Sequence, residues 1–313
     1  MPDKVLLDFF ESRSTGCYHI DEPLSLHTSY RVGGPADIFA FPDRLDTLIE
    51  ILQFCKKNRI PFFFLGQGAN VLVSDKGYRG VVVTLRRGFN SLSSDGPFVD
   101  IDAGVLLRDL VIFCEYNSLG GVEYLAGIPG TVGGALTMNA GVDRAEIGDV
   151  VEKVTILDHN YIPVTINRNE ISFGYRSAPE LQGRPVIGCL LKLSRANQAH
   201  LKEIRCSQIS RRRKKQPLEM PSCGSVFKRP PGYYVGQMVE ELGLKGFRHN
   251  DAKISEKHGG FILNCGNARA DDILFLIKKM RAEILRQYNV KLEPEVRFLG
   301  FERPVDELPE TDF

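Results

Sequence analysis

The chain lacks most of the features that assign a function class by composition. Its seven cysteines, at 17, 55, 114, 189, 206, 223 and 265, form no CxxC pair, and their odd number and wide scatter argue for buried thiols rather than a disulfide framework. The six histidines are scattered too, without the HExxH spacing that puts two ligands on one helical face, so no metal site is expected. A GxSxG elbow is missing, which leaves a serine-hydrolase nucleophile unsupported. Charge of one sign is absent as well: 40 Lys and Arg against 39 Asp and Glu leave +1, and no general polyanion partner follows from that balance. Asp3, Lys4, Asp8 and Glu11 fall where a secretory signal needs an apolar core. The charge-free run from Leu125 to Val142 contains five glycines and a proline, which excludes a spanning helix. These absences predict a cytoplasmic protein with neither nucleic acid nor membrane as partner, and they set no oligomeric state.

What is present is an ordinary globular balance, 43% hydrophobic and 25% charged, in 313 residues. That length predicts two or three modest domains with a cleft between them. Leu45, Leu48, Ile49, Leu52 and Cys55 recur at helical spacing after Asp43 as a cap, and Pro61 closes the helix. Phe62 to Leu65, Val71 to Val73 and Val81 to Thr84 read as strands, giving an α+β or α/β unit. A second unit has a helix over Leu106 to Tyr116 and strands near Val151 to Leu157, Ile162 to Ile166 and Val186 to Leu193. The third opens with a charged helix from His200 to Lys215. It also carries an amphipathic helix with Ile273, Ile277, Met280, Ile284 and Tyr288 inward and Asp271 and Asp272 at its positive end. A strand over Val296 to Leu299 follows. The expected divisions are 1–90, 91–199 and 200–301, with a poorly ordered acidic tail at 302–313.

Three glycine bends carry the chemistry. In Gly127 to Gly141 backbone amides converge as they do in the wall of a nucleotide-cofactor site, with an ordinary glycine-rich turn as the alternative. Gly66-Gln67-Gly68-Ala69-Asn70 follows a strand as a dinucleotide fingerprint does, yet Val71 replaces the last glycine and strand residues follow instead of a helix. It is either a plain turn or a loop wrapping a diphosphate without a helix dipole. Tyr30 to Ala36 adds a turn at Gly33 beside Arg31, a residue suited to phosphate or carboxylate. One extended dinucleotide would touch all three. The candidate cofactor contacts are Arg31, Gly33, Gly66, Gln67, Gly68, Ala69, Asn70, Gly130, Thr131, Gly133, Gly134, Asn139 and Gly141. Tyr175 and Arg176 present a phenol beside a planar fork of donors, read as a carboxylate clamp or a solvated surface pair. Ser225 sits beside Gly224 and near Lys228 and Arg229, a setting in which a hydroxyl can deliver a proton. Glu295 opens a strand, where a surface ion pair is the common outcome. The run Arg211 to Lys215 has no interleaved aromatic platform and reads as a solvated helix end whose last cations face a small phosphate.

Taken in order, His27 to Ala36, Gly66 to Asn70, Gly127 to Ala135, Tyr175 to Ser177, Gly224 to Lys228, Gly243 to Gly246, Ser255 to His258 and Glu293 to Arg297 resemble the UDP-N-acetylenolpyruvoylglucosamine reductase family over almost the whole chain. The absence of an insertion after Arg176 resembles the family's shorter second type. The resemblance implies an α+β protein: a two-lobed FAD-binding fold of the vanillyl-alcohol-oxidase type plus a smaller substrate-binding domain closing over a UDP-sugar. It implies FAD and NADPH as cofactors and Ser225 as proton donor, with Arg176 and Glu295 steadying the enolic intermediate. A negative Glu295 would oppose that charge, so a raised carboxyl pKa is expected. Tyr175, Lys215, Lys228 and Arg229 are the implied substrate contacts. The chain departs from the family pattern at Arg229, where asparagine is common, and at Gln67 and Ala69, where small or hydroxyl residues are. Two competing readings are a same-fold FAD oxidoreductase with another substrate and a non-catalytic nucleotide- or RNA-binding protein.

Overall fold

Strands that are apolar without alternation belong between two covered faces, and Val81-Val82-Val83 lies at the middle of the first sheet. The computed structural model, which describes residues 4–12, 17–143 and 145–302, orders that sheet as Tyr18–Pro23, Pro35–Ala40, Tyr78–Val83 and Phe62–Phe64. The first pair is antiparallel, and the others run parallel. The helix Leu45–Asn58 turns Leu48, Ile51, Leu52 and Cys55 inward. Its N-cap is Arg44 without a side-chain bond, so Asp43 does not cap it. The helix stops in left-handed Arg59 (φ 56°), two residues ahead of Pro61.

The second sheet is wholly antiparallel, ordered Pro163–Asn167, Val151–Leu157, Val186–Lys192, Phe98–Asp102 and Leu92–Asp95. Leu110 and Val111 of the helix Leu107–Tyr116 pack with Ile101 and Val154 of this sheet. The same core runs into Leu48 and Val83 of the first lobe. The two lobes therefore share one apolar interior. Within the glycine-rich segment a short helix, Val132–Thr137, forms, because the Thr131 hydroxyl accepts a bond from the Gly134 amide at 3.3 Å.

The third unit is a small antiparallel sheet, Arg248–His249, Ala252–Ile254 and Ile262–Asn264, under the helices Val235–Glu241 and Ala270–Tyr288. Ile273, Ile277, Met280 and Ile284 are fully buried. Tyr288 packs only partly, its hydroxyl donating to Glu241. The N-terminus of the long helix is capped from outside, since the Asp75 carboxylate accepts the Ala270 and Asp271 amides at 3.0 and 3.3 Å.

Two elements cross the divisions expected from sequence. The strand Arg297–Leu299 pairs in parallel with Val71–Val73, and Leu299 joins the Leu24, Val73 and Val82 cluster. Conversely, Tyr30, Val32 and Leu72 pack in the third unit's core. The helix Gln198–Lys215 docks on the second lobe, with Leu201 buried and Arg205 paired to Glu115. The expected tail lies beyond Glu302, outside the described residues. Among the described residues, no helix is long and apolar enough to cross a membrane.

Candidate active site

The three units meet around a cavity of about 1290 Å³. A drug-sized ligand occupies roughly 300 to 1,000 Å³ of pocket, so this one has room for more than one bound molecule. Loop 66–70 is its floor. Gly68 needs its positive φ of 64°, and a Cβ there would stand 2.1 Å from the His27 carbonyl. That contact is close because the Ser29 amide donates to Gly68 O at 2.9 Å, joining the first bend to the second. The second bend joins the third through Gln67, whose Oε1 accepts the Gly130 amide at 2.6 Å. The bends are thus tied directly to one another.

Among the described residues the backbone amides of 66–70 have no protein acceptor. Successive free amides on a cavity wall form an anion nest. Seven arginines (31, 86, 176, 184, 212, 229 and 297) line the cavity against two carboxylates, Glu219 and Glu295. A chain of nearly zero net charge has therefore concentrated positive charge where a diphosphate would lie. These features fit FAD: the amides of 66–70 and Arg31 would hold its diphosphate, and the Gly130–Gly134 segment would flank it.

Arg176, also on the cavity wall, sits in a tight turn closed by reciprocal bonds between Gly174 and Ser177, with φ at 55°. Its Nε donates to Glu295 Oε1 at 2.7 Å, and its guanidinium lies 5.4 Å from the Tyr175 ring centre. Burial pushes the Glu295 carboxyl above the ordinary range, with Arg176 and Lys228 pulling the other way. Ser225 follows left-handed Gly224 (φ 75°), bridges to Phe261, and makes no hydrogen bond through its hydroxyl among the described residues. The next residue, Val226, accepts the Glu295 amide at 2.7 Å. Ser225 and the Glu295 carboxylate therefore stand on neighbouring, bonded segments.

Four residues expected here do not line the cavity. Gly33 backs onto Val73. Asn139 is fully buried and spends its side chain on Glu146, the Gly174 carbonyl and the Gly148 amide, bracing the turn that carries Arg176. Lys228 is paired with Glu293. Lys215 is exposed at the helix end. The basic run is divided: Arg211 pairs with Asp143, while Arg212 turns inward against Gly127, its buried Nε without a partner. Burial and then the Arg176 charge weaken the hold of Arg212 on its proton.

Arg212 was missed in sequence because the run reads as one solvated block. The signal lay in helical spacing, since Leu201, Arg205, Arg212 and Gln216 fall on the one face that meets the protein. His258 was also given no role. It lines the cavity, its Nδ1 accepts the Gly260 amide at 3.2 Å, and burial holds its pKa below the ordinary value.

Family models match this architecture in two pieces, an FAD binding domain over residues 36–160 and the UDP-N-acetylenolpyruvoylglucosamine reductase C-terminal domain over 216–299. A reductase of that name from Caldanaerobacter subterraneus subsp. tengcongensis is 42% identical over 299 residues, covering 95% of this chain and 99% of its own length. The chain belongs to the UDP-N-acetylenolpyruvoylglucosamine reductase family. The reductase of Alkaliphilus oremlandii is 41% identical over 90% of the chain and 93% of its own. The crystal structure of the Thermus caldophilus reductase superposes with a TM-score of 0.77 at 34% identity, covering 89% and 97% of the two chains. The expected α+β fold, an FAD-binding pair of lobes with a smaller third domain, is the fold of these reductases, and the protein is an FAD-dependent oxidoreductase. With that family the non-catalytic alternative falls away.

Proposed function

We propose that the chain reduces UDP-N-acetylglucosamine enolpyruvate to UDP-N-acetylmuramate, a peptidoglycan precursor, with NADPH as reductant and FAD as the resident cofactor. The observation that carries this reading is convergence: Ser225, Arg176 and Glu295, from distant stretches of chain, border the same cavity as the linked glycine bends. FAD held by the amides of 66–70 and Arg31 would supply the redox chemistry, namely hydride transfer from NADPH to the enolpyruvyl methylene carbon.

The chain's own groups handle the charge and the proton. Arg176 has donors left after its bonds to Glu295 and to the Gly141 carbonyl, and these meet the substrate carboxylate as it takes on enolate character. Burial shifts the Glu295 carboxyl toward its neutral form, and in that form it adds no opposing charge and has a proton to hydrogen-bond the same oxygens. Ser225, whose hydroxyl is uncommitted, gives its proton to the carbon next to the one that received hydride. A serine is a weak acid, so the strongly basic enolate drives this transfer, and the surrounding guanidinium groups steady the alkoxide left behind. Arg31, Arg229 and the free amides of 66–70 supply positive potential for the diphosphates of cofactor and substrate.

The purified protein should be yellow and should oxidise NADPH rapidly only when the enolpyruvyl UDP-sugar is present. A flavin-containing protein indifferent to that sugar would overturn the substrate assignment and leave a same-fold oxidoreductase acting on something else.

A further inference from the structure

Asn70 ends the loop expected to hold the cofactor, and it also ties that loop to a distant segment of chain. Its carbonyl accepts the Arg297 amide at 3.0 Å, the first rung of the parallel pairing between Val71–Val73 and Arg297–Leu299. Its Nδ2 reaches further and donates to the backbone carbonyl of Glu295 at 2.9 Å. That bond extends the pairing past the end of the regular strand, where the backbone alone cannot continue it. The Glu295 peptide is consequently gripped from both sides, its amide bonded to Val226 beside Ser225 and its carbonyl to Asn70. From this fixed backbone the Glu295 side chain reaches Arg176 at 2.7 Å.

We propose that Asn70 is a positioning residue for the reductive step: its side-chain amide fixes the Glu295 backbone, and through it the reach of the carboxyl to Arg176. The cofactor loop thereby sets the carboxylate as well as cradling a diphosphate. This rests on the function proposed above, because Glu295 matters to turnover only in that reaction. A misplacement of about 1 Å in such a group costs on the order of 100-fold in rate.

The test compares wild type with Asn70→Ala and with Asn70→Leu, which keeps the shape and adds no charge but loses the donor. All rates are expressed per bound flavin. Wild type must first show substrate-dependent NADPH oxidation; if it does not, the functional reading fails whatever Asn70 does. Given that activity, reoxidation of the flavin by the UDP-sugar should slow roughly 10- to 100-fold in both variants, and by about tenfold or more beyond any slowing of flavin reduction by NADPH. The pH limb belonging to Glu295 should move toward the ordinary carboxylate range as the loosened carboxyl meets water. On a Glu295→Gln background the further cost of Asn70→Ala should shrink to about threefold or less, since one residue acts through the other. The proposal is overturned if both half-reactions slow together, if flavin is lost while the remaining holoenzyme turns over normally, if the pH limb does not move, or if the two substitutions add. Should Asn70→Ala fail to fold, the Asn70→Leu protein decides on the same readouts.

Discussion

Two arginine–glutamate pairs of nearly equal exposure sit in this molecule, and they do opposite things. Arg205 and Glu115 close on each other twice, Nε to Oε2 at 2.5 Å and Nη2 to Oε1 at 3.3 Å, strapping the helix Gln198–Lys215 to the helix Leu107–Tyr116. Arg176 and Glu295 touch once, through Nε and Oε1; Nη1 adds a long bond to the Gly141 carbonyl at 3.5 Å, and Nη2 has no acceptor among the described residues in a pair that lines the cavity. Side-chain exposures of 23% and 13% against 23% and 16% do not separate them. What separates them is saturation. A pair that satisfies itself is structure, whereas a pair with donors to spare in a positive cavity is prepared for an anion.

The comparison is broken most severely at Arg176. Arg176→Ala should lower kcat for the UDP-sugar by about 10²- to 10³-fold while leaving flavin content intact, as steady-state kinetics and flavin absorbance will report. Near-normal turnover would place this pair with the structural one.

Glu295→Gln should cost less, about 10- to 100-fold, and it carries a pH signature. The carboxyl value in the folded state is raised by burial. Between the ordinary carboxylate value and the raised one, the native chain therefore keeps a proton that the unfolded chain has lost. Stability is greatest below that window and falls as pH rises through it. Thermal unfolding against pH should show this decline in wild type and lose it in Glu295→Gln, together with the corresponding limb of the rate profile.

Smallest in catalysis is Arg205→Ala. It should leave kcat unchanged and cost about 1 to 3 kcal/mol of stability, below the range for a fully buried pair because both side chains retain some water contact. Denaturant unfolding measures it. A loss of activity with no loss of stability would erase the distinction drawn here.

The same contrast explains what was legible in the sequence. Elements with strong periodicity were: the helix over Leu45–Asn58, the strand Val151–Leu157 and the long helix Ala270–Tyr288 all follow from apolar spacing. The clustering of glycine also pointed to the cavity, because amides without Cβ cover are a local property. Long-range pairing was not legible. Nothing near Val71 announces that Arg297–Leu299 will lie against it, nor that Asp75 will cap a helix starting at Ala270. Asn139 shows the limit most plainly: a residue type tolerant of positive φ in a glycine-rich bend reads as a ligand contact, yet burial commits every polar atom of its side chain to the protein. Arg212 is the converse, a cation inside a charged run that the helix turns inward.

The account stands or falls on Ser225, the hydroxyl that the fold leaves unbonded at the cavity wall. Stopped-flow absorbance should follow the two half-reactions separately in wild type and Ser225→Ala. Bleaching of the flavin by NADPH should proceed alike in both, and reoxidation by the enolpyruvyl UDP-sugar should be slower in the variant by about 10²- to 10⁴-fold. Equal reoxidation rates would contradict the account, because the proton would then come from elsewhere.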